Sequence, residues 1–504
     1  MTIAGRTLIN VLFYTDHHYI TLSVPPAGMS LDGSATELGL GILSELLSAD
    51  VDIFTSIRVT LLSRYNFGGS YDMPTIDGAV NKLTRDVLEK YDEVWFFGRG
   101  MRDNLHYDPT IGGPENVLTQ EEVEALRHWM NYGGVLMTGD HANNAPSPGA
   151  PTQLIGLGAA LGMRVPRAGS LRSWFGPPAS TDTNISTLVQ RRREVASVFD
   201  DQSDATPQTI QPALSRLFPE RYHMLFVGHS GSHGQLINVF PDHMHEGKLT
   251  LPDPDTSPPE VLAQWPTLHG FRPLPEVAAT GWARIADRDP LVPHELVAAY
   301  DGDQGGVGRI VADSTWHHYM NTNLVGFRDA NRIVPGQPIP RFRDDTLIRL
   351  RDYYRNLAVF LAPRSTRVSM LNHGLVWVVR HPLIQEIAGA SLAQLGEAAS
   401  QLLSKAFTGG VLFDLLRLPV RGSAVAYLSK TFGHVPLPPD HVVLGGMLQE
   451  LTATGSRAIL DKPDDDSVLS AGFRRGLAFH TARQAASYAT AKETERSFMV
   501  ERDT

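Results

Sequence analysis

The sequence predicts an α/β protein built on a mostly parallel sheet with helices on both faces, followed by a smaller helical domain. Three observations predict it. Short, nearly continuous apolar runs at residues 7–14, 91–97 and 135–138 have the pattern of strands covered on both sides. Helical periodicity at 34–47 and 119–132 alternates with those runs, the order that parallel strands with crossover helices require. After Pro363 the strand pattern and the histidine pairs stop, and helical spacing takes over.

The first run ends at Asp16, and a helix over 34–47 leads to a second strand over 51–61, a β-α-β start. The third strand, 91–97, stops at Gly98-Arg99-Gly100, where glycine lets the backbone turn sharply. Thr119 with Glu122 three residues later is a capping box, and Val123, Leu126, Trp129 and Met130 form the apolar stripe of the helix it starts. The strand 135–138 then runs straight into Gly139-Asp140-His141. Residues 222–228, 235–240 and 308–312 resume the strand pattern, with a Pro- and Asp-rich loop over 251–275. An amphipathic helix over 344–361, with Leu347, Leu350, Tyr354 and Leu357 as its core stripe, closes a first domain of residues 1–365. Insertions fall around 151–215 and 250–300. Residues 366–504 form the helical domain, with helices at 390–406, 411–418 and 470–491.

The chain has 504 residues, no cysteine and a formal net charge of -10. The missing cysteine excludes disulfides, thiolate metal sites, iron–sulfur clusters and cysteine nucleophiles. The charge is dispersed, so neither nucleic acid nor an anionic membrane is an expected partner. No run approaches the ~20 apolar residues of a membrane helix, and residues 1–10 do not read as a secretory signal, so a cytoplasmic location is expected.

Histidine and carboxylate clusters fall just after predicted strands: Asp16-His17-His18, Asp140-His141, Asp242-His243-Met244-His245-Glu246 and His317-His318. The carboxyl ends of parallel strands share one edge, where ligands bind. Imidazole and carboxylate together suit zinc, manganese or iron. If 241–247 is extended, His243 and His245 point to one side, so two imidazoles reach one ion. The plainer alternative is a surface turn. Asp140 likewise either helps form a site or caps the next helix. Asp16, His17, Asp140, His141, His243, His245 and His317 are therefore the candidate metal ligands, and Glu246, His318 and Asp140 the candidate catalytic residues. Which imidazole of each pair faces the site is not legible. The run 228–234 (GHSGSHG) is a glycine-rich loop in which the backbone can approach a ligand, and Ser230 and Ser232 are candidate nucleophiles.

The succession 91–100, 119–132 and 135–144, together with 308–318 (GRIVADSTWHH), resembles the class I glutamine amidotransferase-like superfamily, including its ThuA-like branch. The resemblance covers residues 5–365 and implies a flavodoxin-like or amidotransferase-like sheet. It departs at the elbow: those glutaminases place cysteine there, and Gly139-Asp140-His141-Ala142 stands here instead, so thioester chemistry and a cysteine-dependent glutaminase are excluded.

The function expected is a metal-dependent hydrolase acting on an amide, a cyclic amide or a sugar-derived small molecule. A divalent ion would lower the pKa of bound water, with Glu246 or His318 moving protons. The alternative is a non-catalytic ligand-binding or assembly protein on the same fold, forming homo-oligomers through the helical domain. A metal-free serine hydrolase using Ser230 or Ser232 is a third reading.

Overall fold

The computed structural model describes residues 6–16, 20–24, 39–48, 54–68, 75–98, 118–138, 207–229, 235–241, 249, 251–283, 292–325, 345–420, 430 and 438–502. Its centre is a sheet of strands β1 (Thr7–Thr15), β2 (Thr55–Ser63), β3 (Glu93–Phe97), β4 (Gly134–Thr138), β5 (Gln211–Pro212), β6 (Glu276–Ala283), β7 (Val292–Tyr300) and β8 (Ile310–Asp313). They lie in the order β2-β1-β3-β4-β8-β7-β6-β5. From β2 to β8 the neighbours run parallel, and β7, β6 and β5 extend the sheet antiparallel.

The apolar runs make central strands because both faces are covered. Residues of β1, β3 and β4 alternate between two buried clusters: Phe13, Trp95 and Leu136 in one, Leu12, Phe96 and Met137 in the other. Helices α1 (Gly41–Ser48) and α4 (Asp345–Leu361) supply the first cluster, and α2 (Gln120–Trp129) supplies the second. The capping box at Thr119 and Glu122 is present. Glu122 also pairs with buried Arg64 at 2.8 Å, so the cap ties α2 to the end of β2. A short helix α3 (Asn321–Val325) follows β8.

Beyond Pro363 the chain is helical, with α5 (Arg364–Val379), α6 (Leu392–Leu403), α7 (Gly409–Leu416), α8 (Asp440–Thr454) and α9 (Ser467–Arg502). The first cluster continues from the sheet into these helices through Leu371, Leu403, Leu415, Leu444 and Leu469. Among the described residues no helix is long and apolar enough to cross a membrane.

Charge joins the two parts as well. At the amino edge of the parallel strands Arg309 pairs with Asp301 and Asp414, each at 2.8 Å. Arg367 of α5 pairs with Asp303 and with Asp414, and Arg417 pairs with Asp414 at 2.7 Å and Asp301 at 3.1 Å. The surrounding guanidinium groups hold the Asp414 carboxyl well below its ordinary range. Such a network withstands burial because every ion faces an opposite charge.

Two sequence readings need correction. Residues 276–300, read as part of an insertion, form the antiparallel strands β6 and β7 of the main sheet. Residues 222–228 and 235–240, read as strands, instead form a 3₁₀ turn at Met224–Phe226, a bridge between Val227 and Leu236, and a two-residue strand Val239–Phe240 paired with Gln208–Thr209 outside that sheet. Phe226, Ile237 and Phe240 are buried against α4, so their apolar pattern reflects packing on a helix.

Candidate functional site

The carboxyl ends of β2, β1, β3, β4 and β8 share one edge, and the strand order turns back between β1 and β3. In open α/β sheets ligands enter the crevice at such a reversal. Asp16, 1% exposed, sits there at the end of β1. Gly98, at the end of β3, has φ +131°, and a Cβ on it would stand 2.0 Å from Asp16 Oδ1. Glycine is thus required twice, for its backbone conformation and for room beneath the carboxylate.

Further along the edge, Thr138 of β4 is in register with Asp313 of β8. The 3₁₀ turn His317–Tyr319 folds the chain back over the end of β8. Thr315 donates its backbone N–H to Asp313 Oδ1 at 3.2 Å, and His317 donates its own to Thr315 Oγ1 at 3.0 Å. That tight turn brings His318 Nδ1 to 2.9 Å from Asp313 Oδ1, while the Tyr319 hydroxyl donates to Asp313 Oδ2 at 2.9 Å. The Tyr353 hydroxyl of α4 lies 3.4 Å from that of Tyr319, and Tyr354 donates to the His318 carbonyl oxygen.

A carboxylate accepts, so the neutral imidazole beside it carries its proton on Nδ1 and its lone pair on Nε2. His318 is fully buried, its ring packs on Phe240 at 4.4 Å, and its Nε2 has no hydrogen-bond partner among the described residues. An unpartnered buried polar atom costs roughly 1–3 kcal/mol, so this one calls for a ligand, water or reacting group. Burial pushes the phenols of Tyr319, Tyr353 and Tyr354 well above their ordinary range, so they remain protonated donors.

Of the residues nominated from sequence, the structure places Asp16, His317 and His318 at this edge. His317 is buried with its ring on Trp316 at 5.1 Å, and His318 is the member of the pair held by a carboxylate. His17, Asp140, His141, His243, His245 and Glu246 lie outside the described residues. Among the described residues no group of three or more histidines and carboxylates converges to hold a metal ion. Sequence reasoning missed Asp313 as the partner of His318; its signal was an acidic residue closing a strand five positions before a histidine. Tyr319 and Tyr353 carried no signal, and Tyr354, read as core stripe, is core that also bonds the site.

No family model matches the chain, and no curated protein matches it. Among solved structures, one described as "mmIFT52 N-terminal domain" aligns over 62% of this chain and 89% of its own at 9% identity, with a TM-score of 0.26. A likeness that slight carries no argument about fold or function.

Proposed function

We propose that the chain is a metal-dependent hydrolase of a polar small molecule, an amide, a cyclic amide or a sugar derivative, with its site at the carboxyl edge of the sheet. The single observation that carries the reading is the couple Asp313–His318, whose outer nitrogen is buried and has no hydrogen-bond partner among the described residues. The strand order β2-β1-β3-β4, with the reversal at Asp16 and Gly98, supports the flavodoxin-like or amidotransferase-like reading of the sheet.

His318 accepts a proton at Nε2 from the attacking water and returns it to the leaving group. Asp313 holds the ring in the required tautomer and stabilises the imidazolium that forms, while Tyr319 fixes the carboxylate. Phe240 and the Tyr353 ring, 4.9 Å apart, shield the couple from bulk water, which strengthens its electrostatics. The metal part of the reading rests on residue chemistry: Asp16, a buried carboxylate at the crevice, and His317, a buried imidazole, would hold the ion with His17, Asp140, His141, His243 and His245, the further ligands nominated by sequence. Bound there, zinc, manganese or iron would supply a water of lowered pKa.

Full burial of His318 also suits a non-catalytic pocket for a polyol, and turnover separates the two readings. Elemental analysis of untagged protein, thermal unfolding with and without chelator, and a hydrolysis screen over amides, cyclic amides and sugar lactones test the proposal. Bound metal, a chelator-dependent loss of stability and hydrolysis abolished by His318→Gln are expected. Absence of metal and an unchanged unfolding temperature would overturn the metal; equal hydrolysis by His318→Gln would overturn the base.

A further inference from the structure

Where the helical part of the chain meets residues 220–236, the surface opens into a cleft of about 1080 Å³. That is room for a ligand of drug size or larger. Among the described residues that line it are none of Asp16, Asp313 or His318, so a ligand there is independent of the proposed hydrolase site.

The base of the cleft is rigid. The side-chain nitrogen of buried Asn356 in α4 bonds the carbonyl oxygens of Met224, Leu225 and Val227 at 3.1, 3.1 and 3.0 Å, and the Thr408 hydroxyl donates to Asn356 Oδ1 at 2.6 Å. Thr408 also caps α7, whose Gly409 and Gly410 N–H groups donate to the Gly228 and Val227 carbonyl oxygens, each at 3.1 Å. A Cβ on Gly410 would stand 2.1 Å from the Met224 carbonyl oxygen, so glycine is what lets the two segments meet. A base held in this way need not be ordered by the ligand, which spares affinity.

One wall is α6. Glu397, Gln401 and Lys405 follow at four-residue spacing and line the cleft with exposed side chains. Lys405 lies in the turn just past α6, its N–H on the Leu402 carbonyl at 3.3 Å, so Glu397 and Lys405 stand about 12 Å apart along the helix axis. Their side chains have no ion-pair or hydrogen-bond partner among the described residues. The other charges at the cleft are engaged: Arg221 pairs with Asp440 at 3.1 Å and lies over the Phe413 ring at 5.0 Å. Ser400 and Gln401 supply polar groups between Glu397 and Lys405, and Val227 and Leu412 supply apolar surface.

An acid and a base so spaced, with polar groups between them and apolar surface alongside, complement an extended chain that carries an ammonium at one end, a carboxylate at the other and amides between. We propose that the cleft binds a short peptide with free termini, about four residues long at about 3.3–3.6 Å per residue, its ammonium at Glu397 and its carboxylate at Lys405. Gln401 and Ser400 bond the peptide amides, and apolar side chains of the peptide lie on Val227 and Leu412.

The test is saturation-transfer NMR on the full chain with a pool of tetrapeptides of alanine, leucine and phenylalanine. Isothermal titration then follows one binding member with free, N-acetylated and C-amidated ends. Transfer to the pool is expected, and each blocked end should cost about fivefold in affinity, the worth of one partly exposed ion pair. Glu397→Gln is expected to bind the free and acetylated forms alike while still discriminating against the amide, and Lys405→Met to do the converse. Both side chains are exposed, so neither substitution threatens folding. No transfer to any member of the pool, or variants that rank the three forms as the wild type does, would overturn the proposal.

Discussion

At the amino edge of the parallel strands three arginines meet three aspartates, and each buried ion faces opposite charges from two or more segments of the chain. At the carboxyl edge Asp313 and His318 are buried as deeply, yet the cluster ends on a nitrogen with no partner among the described residues. The two edges share residue types and burial and differ in closure. A network that only holds structure gains from satisfying every group, whereas one that acts on another molecule must keep a position open. The Arg–Asp network staples α5 and α7 to the sheet, and the open couple marks where chemistry is proposed.

The comparison is broken most severely at the closed edge. Asp414→Ala leaves the guanidinium groups of Arg309, Arg367 and Arg417 with only Asp301 and Asp303 to oppose them in the interior, and it is expected to cost about 3–5 kcal/mol of unfolding free energy, read from denaturant midpoints. At the open edge His318→Gln is expected to cost about 1.5–3 kcal/mol, the worth of a hydrogen bond to a charged group, while abolishing hydrolysis. If both substitutions cost the same, the distinction between the edges fails.

Gly98→Ala probes the crevice. The left-handed φ and the overlap with Asp16 together predict a loss of about 1–3 kcal/mol. Adding Asp16→Gly removes the overlap and leaves the φ penalty, so the double variant should recover part of the loss in thermal unfolding.

A further effect is a dependence on pH, small near neutrality and growing as the solution is acidified. Burial, with the Arg417 charge nearby, pushes the His223 imidazole down to about 3 from 6.5. The unfolded chain therefore binds a proton that the folded one refuses, and His223 removes stability progressively as pH falls from about 6.5 towards 3. Histidine NMR should show no protonation of His223 between pH 8 and 5, and His223→Phe should flatten the acid limb of the stability curve.

Much of this was legible in the sequence. The runs in β1, β3 and β4 are long, apolar and bounded by turn residues, and Thr119 with Glu122 announces its helix outright. β6 was hidden because 276–283 (EVAATGWA) is rich in alanine and glycine, residues with weak strand preference. Residues 235–240 misled in the opposite direction, since burial against a helix imitates the apolar signature of a strand. Of the site, His318 was visible as a histidine after a strand. Its completion by Tyr353, from a helix that begins beyond residue 340, depends on a contact far apart in the chain, which no local pattern records.

The central claim is tested most directly by long-range ¹⁵N–¹H correlation on protein labelled at histidine nitrogens, with His318 assigned through His318→Gln. The account predicts a ring protonated at Nδ1 and bare at Nε2 near neutral pH, and a shift of that proton to Nε2 in Asp313→Asn. A wild-type ring carrying its proton on Nε2, or an unchanged tautomer in Asp313→Asn, would contradict it.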